Sequence, residues 1–141
     1  MLSYFSPLQQ ALLLAGTAVM AAALLFFESG KRNTSLLLLL TGALLAGFFM
    51  AVLDPFLNIW DEQYHALVAK NLALHPLKPT LYDTPVYDFD FRNWTGNYIW
   101  LHKQPLFLWQ MAASIRLFGA NEIAVRLPDI ILHALTSLII Y

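Results

Sequence analysis

Two adjacent carboxylates, Asp61 and Glu62, stand in the run Trp60-Asp61-Glu62-Gln63-Tyr64-His65. An aspartate there can act as a general base, taking a proton from an acceptor hydroxyl or amine, with Glu62 in support. The plainer reading is that acidic residues suit the positive end of a helix dipole. Lys103 stands in Trp100-Leu101-His102-Lys103-Gln104-Pro105, a lone cation just before an apolar run. Its ammonium can pair with a phosphate as a point charge, or simply snorkel from a helix end to water. Arg126 follows in Arg126-Leu127-Pro128, after Gly119-Ala120-Asn121-Glu122. It can bind an anionic headgroup, or pair with Glu122 one helical turn away. A divalent metal would have to draw on His65, which shares a helix face with Asp61, and on His102 from elsewhere in the region. With no cysteine there is no thiolate site. Asn93-Trp94-Thr95 fits the N-glycosylation pattern, which has meaning only in a eukaryotic source.

The elements that must hold these residues are written in the charge distribution. Charged residues make up 12% of the 141 positions, against about 25% in ordinary soluble domains. None occurs in 1–27 or 33–53. The segments 8–27 and 35–53 are each close to the ~20 residues that cross a bilayer as helix. Hydrocarbon offers the backbone no partner, so helix is the spanning form expected. The first segment lacks the basic lead of a cleaved signal and is long for one, so it is taken as a membrane helix. The connector 28–33 carries Lys31 and Arg32. By the positive-inside rule it faces the cytoplasm, and the chain after Asp54 lies outside. A net charge of −1 argues against nucleic-acid binding.

Between 54 and 121 the chain is mixed and rich in aromatics, with Trp60, Trp94, Trp100 and Trp109. Indole rings favour the headgroup layer, which predicts a segment lying along the membrane surface. An amphipathic helix is expected over 61–74, with Tyr64, Leu67, Val68 and Leu72 along one stripe and Pro76 as its stop. Residues 86–92 alternate with a strand period. A turn at 93–97 and a return at 98–101 would complete a short β-hairpin. A second apolar helix over 106–118, closed by Gly119, is too short to span and is expected in the interface or against the bundle. Asn121 is placed to cap the next helix, with Glu122 in its first turn. From 130 the chain is apolar to Tyr141, the start of a spanning helix cut off before completion. The organisation expected is therefore a transmembrane hairpin (1–54), an extracytoplasmic loop with surface helices (55–123) and the beginning of another spanning helix (124–141).

The ordered series Asp61-Glu62-Gln63-Tyr64-His65-Ala66, Lys103-Gln104-Pro105-Leu106-Phe107-Leu108-Trp109, Leu117-Phe118-Gly119-Ala120-Asn121-Glu122 and Arg126-Leu127-Pro128 resembles the N-terminal part of the GT-C glycosyltransferases. Within them it is most similar to the protein O-mannosyltransferase-like group that includes the bacterial lipid A aminoarabinose transferases. The resemblance covers roughly 54–141. It implies an all-α polytopic membrane protein, in a bacterial inner (plasma) membrane, that moves a sugar from a polyprenyl-phosphate donor to a lipid, glycan or protein acceptor. Asp61 would be the base or acceptor-orienting residue, with Glu62 beside it. Lys103 would contact the donor phosphate, with Arg126 a further candidate for headgroup binding. Family enzymes are several times longer, so the resemblance also implies a missing C-terminal part that completes the donor cavity. Membrane lipids and that remaining part are the partners expected. Two other classes stay open: a non-catalytic membrane subunit or truncated relic of the same fold, and a transport component. The last wants ionisable residues inside spanning segments. Segments 8–27 and 35–53 have none, and only His133 hints at one.

Overall fold

The computed structural model describes residues 4–86, 88–90, 92–93 and 97–141. Among them the chain forms α1 (Pro7–Glu28), α2 (Arg32–Ala51), α3 (Asp61–Leu74), α4 (Pro105–Phe118) and α5 (Glu122–Ile140), and no strand. It divides into two compact units, Met1–Pro55 with Asp129–Tyr141, and Phe56–Pro128.

In the first unit, α1 begins with a capping box. The Gln9 N–H donates to Ser6 Oγ at 3.3 Å, and the Ser6 N–H to Gln9 Oε1 at 2.8 Å. Two of the helix's unpaired N-terminal donors are satisfied in this way. After α1 the chain reverses through Gly30, whose φ of 79° suits a residue without Cβ. The returning α2 is antiparallel to α1 and tied to it at both ends. Gln9 Nε2 donates to Val52 O at 2.7 Å, and the buried Ser35 Oγ donates to Ala23 O at 2.7 Å. Between these ties Gly16 and Gly42 are buried, and small residues let the two backbones approach. A Cβ on Gly42 would stand 2.6 Å from Met20 Cγ. Residues 129–140 of α5 join this pair: a Cβ on Gly47 would stand 2.8 Å from Ile130 Cγ2, and the Phe27 and Tyr141 rings meet edge-on at 5.4 Å. The hydroxyls of Thr17, Thr41 and Thr136 return to the carbonyl four residues earlier, each at 2.8 Å.

By length and composition α1, α2 and α5 can each cross a membrane. Within the protein only 11% of α1's apolar window is buried, and 22% of those of α2 and α5. Leu14, Leu24, Leu37, Met50 and Ile139 all point outward. A water-facing bundle would not leave so much contiguous apolar surface uncovered. The chain is accordingly described as an integral membrane protein. The last helix starts at Glu122, where the sequence placed its cap: Asn121 Oδ1 accepts from the Ala124 N–H at 2.9 Å. The cap sits nine residues ahead of the apolar run that begins at Ile130, so the helix has 19 residues by Ile140.

The second unit is built on α3 and α4. Its core comprises Val68, Ala69 and Leu72 from α3, Leu108, Met111, Ala112 and Ile115 from α4, and Leu81 and Trp100 from the intervening segment. The start of α5 adds Ala124 and Val125. The α4 face follows the i, i+3, i+4, i+7 spacing that buries one side of a helix. This face packs on α3, which settles where the short apolar helix goes. On α3 the buried residues are His65, Val68, Ala69, Asn71 and Leu72, while Tyr64 and Leu67 fall at the margin of the expected stripe. Gly119 ends α4 with a φ of 85°.

The expected hairpin of 86–92 with 98–101 is not seen among the described residues, where 98–101 has another pairing. Leu81 N–H donates to Tyr98 O and Trp100 N–H to Pro79 O, both at 2.7 Å, around an antiparallel bridge of Thr80 with Ile99. Ile99 and its neighbours thus pair with the segment just after α3, where Leu81 and Trp100 reach the core. Asp90 is held instead by the buried Asn97 side chain, which accepts from its N–H at 2.8 Å and donates to its C=O at 2.6 Å. Alternation by itself marks a strand face but names no partner. Tyr87, Phe91 and the turn residues 94–96 lie outside the described residues. So do two members of the glycosylation pattern, Trp94 and Thr95.

Candidate functional site

All the sequence candidates fall in the unit Phe56–Pro128. The adjacent carboxylates at the start of α3 have different fates. Glu62 is engaged: Arg126 Nε donates to its Oε1 at 2.7 Å and Arg126 Nη2 to its Oε2 at 2.9 Å. The Asn58 N–H reaches the same Oε2 at 2.7 Å, and Arg126 Nη2 also donates to Phe56 O at 2.8 Å. This two-point fork joins the first turn of α3 to the first turns of α5. The Arg126 hydrogen bond is the main reason the Glu62 carboxyl titrates below the usual range. Burial opposes it in part, and the Asn58 N–H and the guanidinium charge add to it.

Arg126 therefore pairs with Glu62 and not with its own-helix neighbour Glu122. A partner 64 residues away is invisible to i, i+4 reasoning.

Asp61 is exposed at the first position of α3, and its side chain makes no hydrogen bond among the described residues. The helix cap before it, Trp60, supplies no side-chain bond either; its own N–H donates to Asn58 Oδ1 at 3.1 Å. Asp61 suits the helix dipole, but its carboxylate is not consumed by structure.

Lys103 lies in the loop leading to α4. It borders a cleft of about 530 Å³ with Leu72, Leu77, Trp100, His102 and Trp109 among its walls. Trp109 is fixed there by its indole N–H, which donates to Pro76 O at 2.7 Å. The Lys103 ammonium is exposed and has no hydrogen bond or ion pair among the described residues. An apolar cleft with an uncommitted cation at its edge suits an amphiphile with an anionic head.

A chain of rings connects the two candidates. Trp60, beside Asp61, packs edge-on against Tyr64 at 5.4 Å. Tyr64 stacks on Trp100 at 5.1 Å with planes 13° apart, and Trp100 meets His102 edge-on at 5.5 Å. The sequence reads these aromatics as a membrane-surface signal; the ring contacts themselves are not visible in it, because they join residues up to 36 positions apart. Asp61 itself is not among the residues lining the Lys103 cleft.

The histidines do not gather. His65 is buried edge-on to Phe107 at 5.3 Å, while His102 is exposed against Trp100. Among the described residues no three of His, Asp or Glu are grouped to hold a metal ion. Among the described residues His65 and His102 are thus not gathered with Asp61 into such a group.

No family model, curated protein or solved structure matches the chain.

Proposed function

We propose that this chain is the N-terminal part of a GT-C-type membrane glycosyltransferase that uses a polyprenyl-phosphate sugar as donor. The reading rests on the resemblance of the ordered motifs. The observation that carries it is the Lys103 cleft: an uncommitted ammonium at the edge of an apolar, indole-walled space. The isoprenoid end of such a donor is apolar and its phosphate anionic, so one ligand would satisfy both features. In the reaction, an acceptor hydroxyl attacks the sugar's anomeric carbon and its proton passes to Asp61. The bond from that carbon to the phosphate oxygen breaks, and polyprenyl phosphate leaves with its charge stabilised by Lys103. Glu62 and Arg126 hold the turn that presents Asp61. The fork between them makes Arg126 a positioning residue in this scheme and no longer the second phosphate contact that the resemblance implied.

The topology that goes with this reading places the Lys31-Arg32 connector in the cytoplasm and the loop 55–123 outside, in a bacterial inner membrane. Lipid-linked sugar donors present their headgroups at that outer surface.

A second reading, a non-catalytic membrane subunit of the same fold, draws on one observation. Glu62 and Arg126 are satisfied by each other, as a purely structural pair would be. Sugar transfer from a polyprenyl-phosphate donor, measured in membranes carrying the full-length protein, separates the two. The enzyme reading expects Asp61→Asn and Lys103→Ala to lose most turnover at unchanged protein level. Near-normal turnover in both would leave the subunit reading standing.

A further inference from the structure

The Lys103 cleft has a neighbour. Leu77 and Pro79 line both it and a second cleft of about 480 Å³, so the segment 77–79 is a wall between them. The second cleft carries His75, Lys78, Tyr82, Asp83 and Tyr98. None of the sequence motifs drew attention to it.

Its floor is firmly built. Lys78 N–H donates to His75 O at 2.9 Å, closing a turn directly after α3. The buried Asn71 amide donates to Thr80 O at 2.7 Å, and the Thr80–Ile99 bridge pins the other side. Tyr98 is steadied edge-on by Phe89 at 6.4 Å. On this fixed backbone the side chains of His75, Lys78, Tyr82 and Asp83 make no hydrogen bond or ion pair among the described residues. Polar groups of both kinds, donor and acceptor, are thus held in one concavity without being used by the fold.

Their chemistry selects a ligand class. One ammonium and one carboxylate nearly cancel, so the cleft is built neither for a polyanion nor for a cation. Two phenol rings offer electron-rich faces, which attract the polarised C–H bonds on the flat side of a sugar ring. Asp83 accepts from neighbouring hydroxyls, and Lys78 donates to ring or hydroxyl oxygens. The volume falls within the roughly 300–1,000 Å³ of small-molecule sites. We propose that this cleft binds a pyranose unit of a glycan. Where the polyprenyl-phosphate transfer reading holds, on which this last step rests, the bound glycan is the acceptor, presented across the 77–79 wall from the donor phosphate.

The test is saturation-transfer NMR on the full-length protein in lipid nanodiscs, with glucose, mannose, N-acetylglucosamine and their disaccharides as probes. At least one probe is expected to show saturable transfer. Asp83→Ala and Lys78→Ala should each weaken it by about tenfold, the loss of one charge-assisted hydrogen bond, while Lys103→Ala should leave it unchanged. Both substituted side chains are exposed and unpaired, so the fold should survive. No saturable transfer from any probe would overturn the proposal. So would transfer that persists in both Asp83→Ala and Lys78→Ala but disappears in Lys103→Ala. Saccharide binding with this residue dependence, in a protein that transfers no sugar, would uphold the cleft and count only against the enzymatic reading.

Discussion

The unit Met1–Pro55 with Asp129–Tyr141 and the unit Phe56–Pro128 treat polar side chains in opposite ways. In the first, Thr17, Thr41 and Thr136 fold back on their own helices, Ser35 crosses to Ala23 O, and Gln9 reaches Val52 O. Lipid supplies no alternative partner, so a polar group left over there is expensive. In the second, the groups are divided. Glu62, Arg126, Asn71 and Asn97 are committed to the fold, whereas Asp61, Lys103, Lys78 and Asp83 are not. At a watery surface an uncommitted charge costs little, so chemistry can be kept in reserve there. The difference teaches where to look: the reactive candidates are the exposed groups that structure does not use.

The sharpest way to break that comparison is to exchange a reserved carboxylate and a committed one. Asp61→Asn should cut turnover by about 10²–10⁴-fold, the usual worth of a general base, with little change in thermal stability. A variant that unfolds at wild-type activity per folded molecule would place Asp61 with the structural groups instead. Lys103→Ala should reduce turnover by about 10²-fold and should be partly rescued by Lys103→Arg, measured as sugar transfer in membranes.

Arg126→Ala should act through folding. It strands the Glu62 carboxylate and should cost about 1–3 kcal/mol in thermal unfolding of the detergent-solubilised protein. The pH dependence has a definite sign. The folded-state pKa of Glu62 lies below its unfolded value. The stabilisation is therefore complete above the unfolded carboxylate pKa, and it is lost as pH falls through the folded one. Glu62→Gln and wild type should accordingly differ in stability near neutral pH and converge in acid. A constant gap across that range would remove the ion pair as the cause.

Smaller effects sharpen the contrast inside the membrane unit. Gly47→Val pushes a branched side chain into Ile130 and should destabilise by about 1–3 kcal/mol. Smallest of all, Asn121→Ala removes the cap of α5 at a cost of about 1 kcal/mol, read from the same melts.

What the amino-acid order determined by itself was whatever depends on neighbours along the chain. The charge-free runs before Glu28 and after Arg32 made α1 and α2 legible, because bilayer crossing is a matter of length and hydropathy. Pro76, Gly119 and Asn121 marked helix ends, since capping and breaking act within a turn. Tertiary structure alone decided the pairings. It gave Arg126 to Glu62 in place of Glu122, and it paired the 98–101 segment with 79–81. It also buried His65 against Phe107 and set the Lys78 cleft beside the Lys103 cleft. A charge or a strand edge carries no address: several partners offer similar local energy, and only the packing of α3 on α4 determines which one is within reach.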